Sequence, residues 1–231
     1  MSSRGLAYGR YRTGGLEEHM MRIGEASAPP ILFLPPLFEE MNRTRAFLAS
    51  IMRALAGHGF GCWLPDLPGT GESETALGNC TFEQWRDAAR DAGSHVATSS
   101  GTQPVSASFR GGALLDDAVE SAAAWRFAPA EGASLARDLI RSAMLPAEAL
   151  QGPIVELAGY QISDVLLGGL RDATLARPER LRTVRLESDR AEADLKVAAP
   201  ALWRRSEPAN DIEVAELIAS DIKTWHSQCG S

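Results

Sequence analysis

Hydrophobic and polar residues follow two different periods along this chain, and each period predicts one kind of element. Ile31 to Leu34 is a continuous apolar run between two proline pairs, as expected of a strand buried on both faces. Phe60 to Leu64, Pro104 to Phe109 and Leu181 to Leu186 are predicted as further strands, and Val155 to Leu157 is a candidate for a short one. Thr44 to Gly57 instead places apolar residues three and four positions apart, which predicts an amphipathic helix.

The remaining pattern predicts how these elements combine. Residues 5–13 and 16–24 flank the Gly14-Gly15 turn and are predicted to form an antiparallel hairpin. Further helices are predicted at Phe82 to about Gly93, Ala113 to about Ala124, Leu135 to Met144, Ser163 to about Leu175 and Ile212 to Trp225. Alternation of strands and helices is typical of an α/β protein with a mostly parallel sheet and helices on both faces. We expect a single domain over residues 1–231, with a small cap or excursion around 126–160.

Composition excludes several classes of protein. The 231 residues carry 23 Lys and Arg against 30 Asp and Glu, which gives a net charge of −7. The sequence has no block of basic residues of the kind that would predict nucleic-acid binding. No apolar run is long enough for a membrane span, and no secretory signal is visible. The cysteines Cys62, Cys80 and Cys229 are widely spaced, which favours a reducing, cytoplasmic location. No metal-ligand spacing and no cofactor loop is present, so we expect neither a metal nor a cofactor.

Three segments, in their order along the chain, carry a resemblance to a known fold. The stretch Leu34 to Asn42 follows a buried strand, and Trp63 to Ser73 contains the loop PDLPGTGES. Val105 to Leu115 is predicted as a strand, a sharp turn and the start of a helix. Together these segments resemble the α/β-hydrolase fold, in which a nucleophile occupies such a turn.

A finer resemblance is to the exosortase A system-associated hydrolase 2 family. It is carried by Phe38 to Asn42, Phe109 to Leu115, Trp125 to Phe127 and Ile154 to Ser163, within roughly residues 28–175. The resemblance implies a bacterial protein that acts beside exopolysaccharide export and exosortase-dependent sorting. Because the word hydrolase in the family's name reflects the fold, the resemblance does not by itself establish the chemistry.

The turn that would hold a nucleophile can be registered in two ways. In one, the G-x-S-x-G pattern matches Ser106 to Arg110, and Ser108 is the nucleophile. In the other, it matches Ser108 to Gly112, and Arg110 takes the nucleophile position. The last position of the motif has to be small, so the second register is favoured. A guanidinium stays protonated and cannot act as an acyl nucleophile.

The other members of a Ser-His-Asp triad are hard to find in the sequence. The base is expected on the loop between the last strand and the final helix, roughly Ala198 to Asn210, which contains no histidine. None of the histidines of the chain matches that position: His19, His58, His95 and His226. Asp189, after the strand that ends at Leu186, is a weak candidate for the acid. We therefore expect the triad to be incomplete.

A buried arginine at the turn requires a counter-charge, which Glu39 or Glu40 is predicted to supply. The pair either closes the former active site or belongs to a site for an anionic small molecule. The predicted ligand-binding residues are Arg110, Glu39, Glu40, Asn42, Phe38 and Gly111.

Two classes of function follow from this sequence. One is a non-catalytic accessory or anion-binding protein. The alternative is an esterase or acyl hydrolase that uses Ser108 with a non-standard base, and a weaker possibility is a protein-interaction scaffold. The sequence does not predict the oligomeric state.

Overall fold

The computed structural model describes residues 5–143 and 152–229, and its centre is an eight-stranded sheet. The strands of this sheet are β1 Ala7–Thr13, β2 Leu16–Ile23, β3 Pro30–Leu34, β4 Gly61–Pro65, β5 Val105–Phe109, β6 Ala123–Phe127, β9 Leu181–Leu186 and β10 Leu195–Val197. They lie in the order β1-β2-β4-β3-β5-β6-β9-β10. β2 pairs antiparallel with both of its neighbours, β1 and β4. The other neighbouring strands of this sheet all pair in parallel. The predicted mostly parallel sheet with an N-terminal antiparallel hairpin is confirmed.

Helices cover both faces of the sheet. They are α1 Glu39–Gly57, α2 Phe82–Ser100, α3 Gly132–Ala143, α4 Asp164–Asp172 and α5 Ile212–Cys229. Alternate residues of β3 point to opposite faces: Leu32 and Leu34 join a core with α2, α3 and α4, and Ile31 and Phe33 join a core with α1 and α5. Among the described residues, no helix is both long and apolar enough to cross a membrane.

Four helices, α1, α2, α3 and α5, extend beyond their predicted ends, and the extensions of α1 and α2 are the longest. α1 begins at Glu39 and not at Thr44, because two acidic residues in a first turn favour the positive end of the helix dipole. α2 continues to Ser100 and not to Gly93, with a Thr81–Gln84 capping box at its start. Gly93 does not end the helix: a Cβ atom there would lie 2.8 Å from Val119, so glycine serves close packing. His95 therefore lies inside α2.

The predicted helix from Ala113 to Ala124 is wrong. The chain makes two short 3-10 turns, Arg110–Leu114 and Asp116–Ala118, and then enters β6. The side chain of Asp116 turns inwards to an arginine of β6, so the segment closes against the next strand. Consequently no α-helix begins at the turn, and the expected helix N-terminus beside Arg110 is missing.

The segment predicted as a cap, 126–160, starts inside the main sheet, because residues 126 and 127 belong to β6. Beyond β6, α3 is followed by a separate two-stranded sheet of β7 Ile154–Leu157 and β8 Tyr160–Ser163. The end of the predicted helix at Met144 lies outside the described residues. β6, β8 and β10 were not predicted, since each is a short run without a distinctive pattern of its own.

Candidate functional site

The turn after β5 holds an arginine in a strained backbone conformation. Arg110 has φ of +53°, in the left-handed region that non-glycine residues rarely adopt. The next glycines allow a close approach of the chain: a Cβ atom on Gly112 would lie 2.3 Å from the carbonyl oxygen of Leu34. A Cβ atom on Gly111 would lie 2.6 Å from the side chain of Leu135. The structure thus places Arg110 at the tip of the turn, in the register that the sequence favoured.

The guanidinium of Arg110 is held on three sides. Its Nε and Nη2 atoms donate to the carboxylate of Glu40, at 3.1 and 2.9 Å, and Nη1 donates to the carbonyl oxygen of Ala128 at 2.9 Å. The ring of Trp203 lies 4.5 Å from the guanidinium carbon, within cation–π range. The predicted pairing is therefore present, with Glu40 and not with Glu39. Burial raises the pKa of Glu40, although the neighbouring Arg110 acts in the opposite direction.

Glu39 belongs to a second group of polar side chains. The amide nitrogen of Asn42 donates to Glu39 Oε2 at 3.1 Å and to the hydroxyl oxygen of Tyr160 at 3.0 Å. The Tyr160 hydroxyl in turn donates to Glu39 Oε2 at 3.2 Å. Burial and the nearby Glu39 raise the pKa of Tyr160 to about 12. This triangle fastens β8 to the first turn of α1.

A cavity of about 270 Å³, here named the elbow cavity, lies beside Arg110. Its lining combines six charged side chains with apolar ones: Leu37, Phe38, Glu39, Glu40, Arg43, Arg110, Leu135, Asp138, Leu139, Ser142, Ala158, Trp203 and Arg204. Four of the predicted ligand-binding residues, Phe38, Glu39, Glu40 and Arg110, meet there. Gly111 supports the turn without lining the cavity, and Asn42 lines a neighbouring one.

Two nitrogen donors of residues that line the elbow cavity have no acceptor among the described residues. They are Arg43 Nε and Trp203 Nε1, both buried. The nearest carboxylate oxygen to Arg43 Nε belongs to Glu39, 3.6 Å away, an ion-pair distance that is too long for a hydrogen bond. Buried donors are normally paired, because an unpaired one costs about 1–3 kcal/mol.

Backbone strain is concentrated around the same cavity. Among the described residues, the non-glycine residues with positive φ are Phe38, Arg110, Ala128 and Ala158. Three of them line the elbow cavity, and the carbonyl oxygen of Ala128 accepts a hydrogen bond from Arg110. Strain of this kind costs about 1–3 kcal/mol per residue and clusters at functional sites.

Ser108 lies apart from the elbow cavity. It is fully buried in β5, and its hydroxyl donates to Asp116 Oδ2 at 2.9 Å. Arg126 binds the same carboxylate through two hydrogen bonds of 2.7 Å. The structure thus places Ser108 below the turn, in a buried polar network with Asp116 and Arg126.

The other triad candidates do not meet at the turn. Asp189 lies after β9, where its carboxylate accepts from Arg185 at 2.7 Å and from the Ala191 backbone at 2.9 Å. Of the histidines, His19 lies in β2 and His58 follows α1. The ring centroid of His95 lies 6.0 Å from that of Trp63, and the ring centroid of His226 lies 5.0 Å from that of Phe60. None of these residues is part of the described lining of the elbow cavity.

The loop between β10 and α5 contributes side chains that the sequence reasoning missed. That loop contains no histidine, yet its Trp203 covers Arg110 and its Arg204 lines the cavity. Arg43 and Tyr160 were missed as well. The Trp-Arg-Arg run in a loop expected at the site was the available signal, since tryptophan and arginine recur at binding sites.

Several solved structures share this architecture. Est1E from Butyrivibrio proteoclasticus has a TM-score of 0.62 at 10% identity, over 97% of this chain and 98% of that one. The mouse alpha/beta hydrolase domain-containing protein 10 has a TM-score of 0.61 at 13% identity, over 96% of this chain and 99% of that one. A putative hydrolase from Agrobacterium vitis S4 has a TM-score of 0.59 at 12% identity, over 95% and 98%.

These similarities confirm the expected α/β-hydrolase fold. At such low identity they carry the fold alone and give no information on activity. No known protein family matches the chain, and no curated protein is significantly similar to it. The finer resemblance to the exosortase-associated family therefore stays a hypothesis.

Proposed function

We propose that this chain is a non-hydrolytic protein of the α/β-hydrolase fold that binds a small anionic molecule in the elbow cavity. The observation that carries the proposal is Arg110, which stands at the tip of the turn where a hydrolase of this fold holds its nucleophile. A guanidinium has no lone pair to offer to an acyl carbon, whereas its planar donors suit a carboxylate or a phosphate.

Binding is favoured over a simple structural lock by a guanidinium that Glu40 does not pair. Arg204 lines the same cavity and makes no ion pair among the described residues. A ligand with two or three acceptor oxygens supplies the partner that this group lacks. Leu135 and Leu139 of α3 give the same cavity an apolar wall, so the ligand is expected to be amphipathic. With a volume of about 270 Å³, the cavity suits a ligand smaller than a typical drug molecule.

The alternative, an esterase based on Ser108, has weaker support. The Ser108 hydroxyl is fully buried and donates to Asp116, an acceptor that is itself bound by Arg126. No histidine lies within hydrogen-bond distance of Ser108 among the described contacts. A nucleophile needs both a base and access to its substrate.

A fluorophosphonate probe separates these two functions. The native protein is expected to remain unlabelled, as is its Ser108→Ala variant, while an active serine esterase is labelled in parallel. Labelling of the native protein that disappears in Ser108→Ala would overturn the proposal in favour of the esterase.

Thermal unfolding in the presence of anions tests the binding itself. Acetate, hexanoate, benzoate and phosphate are compared with chloride at equal ionic strength. A ligand at one hundred times its Kd stabilises the folded state by about 2.7 kcal/mol. Arg110→Ala is expected to abolish this stabilisation. Arg86→Ala, which removes a guanidinium of α2 that is bound to Asp117, is expected to retain it.

Because Arg110→Ala leaves Glu40 buried without its partner, a second variant is needed. The double variant Arg110→Met, Glu40→Gln removes both charges and keeps much of the buried volume. Stabilisation by anions that persists in this variant would refute the role of Arg110.

We further propose an accessory role beside exopolysaccharide export and exosortase-dependent sorting, in the cytoplasm of a bacterium. This proposal is supported by the sequence resemblance at Phe38 to Asn42 and Ile154 to Ser163. Deletion of the gene is expected to reduce export of the polysaccharide, and Arg110→Ala is expected not to restore it. Unchanged export after deletion would refute this role without touching the anion-binding proposal.

A further inference from the structure

A second cavity lies on the other side of Phe38. This loop cavity, of about 330 Å³, is bounded by the loops that follow β3 and β4. It is lined by Pro35, Pro36, Leu37, Phe38, Met41, Asn42, Arg45, Pro65, Asp66, Leu67, Gly69, Thr70, Gly71, Leu77 and Tyr160. Leu37 and Phe38 are the residues that line both this cavity and the elbow cavity. These two side chains therefore form the shared wall.

The ring of Phe38 is fixed firmly in this wall. It is only 8% exposed and packs against Trp85, with ring centroids 5.4 Å apart, and against Tyr160, at 5.7 Å. Hydrogen bonds to Glu39 and Asn42 hold Tyr160 in place beside the Phe38 ring. The ring is thus held between α2 and β8.

The backbone of Phe38 is in a conformation that an aromatic residue rarely adopts. Its φ is +55° and its ψ is −135°, immediately before the first residue of α1. A bulky side chain in this region carries a free-energy penalty. Glycine would meet the backbone requirement without that penalty, so the presence of a phenylalanine indicates a use for its ring.

We infer that Phe38 is a specificity-determining residue, which limits the length of the ligand bound at Arg110. The inference rests on the proposed function. A carboxylate held by the arginines of the elbow cavity extends its apolar part along Leu135 and Leu139 until it meets the Phe38 ring. Without the ring, the two cavities join, and a longer chain can continue into the loop cavity.

A series of straight-chain carboxylates, from butanoate to dodecanoate, tests this inference by calorimetry. For the native protein, affinity is expected to rise about fourfold with each methylene that is buried, and then to fall once the chain fills the elbow cavity. In Phe38→Ala and Phe38→Gly the break point is expected to move to longer chains. Phe38→Gly also relieves the positive φ, so it is expected to fold even where Phe38→Ala is unstable.

Phe60→Ala is the matched control. Phe60 is buried to a similar extent, at 7% exposed, but belongs to the core on the other face of the sheet. Its loss is expected to lower stability and to leave the break point unchanged. A break point that also moves in Phe60→Ala would overturn the inference, because the effect would then reflect general loosening.

The outcomes distinguish the inference from the function on which it rests. Binding that depends on Arg110, with the same break point in the native protein and in both Phe38 variants, would overturn the length limit alone. Failure of the native protein to bind any carboxylate of the series would overturn the proposed function and the length limit with it.

Discussion

The buried ion pair between Asp116 and Arg126 gives the sharpest prediction about stability. The carboxylate is 0% exposed and the guanidinium 3%. Arg126 donates from Nε and Nη2 to the two carboxylate oxygens of Asp116, both at 2.7 Å. Its Nη1 donates to the carbonyl oxygen of Ala176 at 2.8 Å. Arg126→Met removes all three hydrogen bonds and leaves the carboxylate with the Ser108 hydroxyl as its remaining described side-chain donor.

The expected loss is large because a charge is left behind. Removal of one partner from a buried pair destabilises a protein by about 3–5 kcal/mol, since the other charge stays desolvated. The double variant Arg126→Met, Asp116→Leu removes both charges, and such replacements are often neutral or stabilising. We therefore expect the double variant to recover most of the stability that the single variant loses.

A neighbouring pair supplies the control. Arg86 makes two hydrogen bonds to Asp117, at 2.8 and 2.9 Å, but their side chains are 26% and 32% exposed. Water screens this pair, so Arg86→Met is expected to cost about 1 kcal/mol or less.

The free energies of unfolding are measured in urea by tryptophan fluorescence at neutral pH. Two results would refute the reasoning: an Arg126→Met variant no less stable than Arg86→Met, or a double variant no more stable than Arg126→Met.

Two further predictions concern the turn and its charge. Gly112→Ala is expected to destabilise the fold by about 1–3 kcal/mol or more, because the new Cβ would lie 2.3 Å from the carbonyl oxygen of Leu34. In the control Gly168→Ala, in α4, the new Cβ meets nothing within 4 Å, and the variant is expected to gain up to about 1 kcal/mol of stability. Urea midpoints in the reverse order would contradict this prediction. Because the pKa of Glu40 is raised in the folded state, the folded state holds more protons than the unfolded chain at pH values between the unfolded and the folded pKa of this group. The free energy of unfolding therefore falls as pH rises from the unfolded pKa to the folded pKa. Protonation of Glu40 at lower pH releases donors of Arg110, so calorimetry with a short alkyl sulfonate is expected to show tighter binding as pH falls, and Glu40→Gln is expected to bind more tightly at neutral pH without this dependence. A Glu40→Gln variant with the native pH profile would show that Glu40 does not compete for Arg110.

Six of the eight strands of the main sheet were predictable, because each has a recognisable local pattern, whereas β6 and β10 were missed. β3 is apolar at every position and lies between proline pairs, and β1 and β2 flank a glycine pair. The register of the turn was also predictable, since only small residues fit where Gly112 approaches β3. The strand patterns depend on neighbours in sequence, and the turn follows a short motif, so both can be recognised in a sequence.

The parts that sequence reasoning missed depend on contacts between distant residues. A pattern that suits an amphipathic helix after the turn does not reveal that Asp116 pairs with Arg126 inside the core. Likewise, the Trp-Arg-Arg run indicates residues at the site but does not reveal that the ring of Trp203 covers Arg110. The start of α1 is different, because Glu39 and Glu40 are a recognisable first-turn signal that was assigned to a loop.

The arginine at the turn is best understood together with the groups that make it tolerable. A guanidinium in this place needs a carboxylate, which α1 supplies as Glu40 because that helix begins early enough to reach the turn. It also needs cover from water, which Trp203 supplies from the loop where a hydrolase of this fold would hold its base. A serine at position 110 would leave Glu40 buried without a counter-charge and would face a tryptophan and not a histidine. The side chains around Arg110 are thus adapted to a fixed positive charge, and this mutual dependence, more than the arginine at the turn alone, supports the proposed binding function.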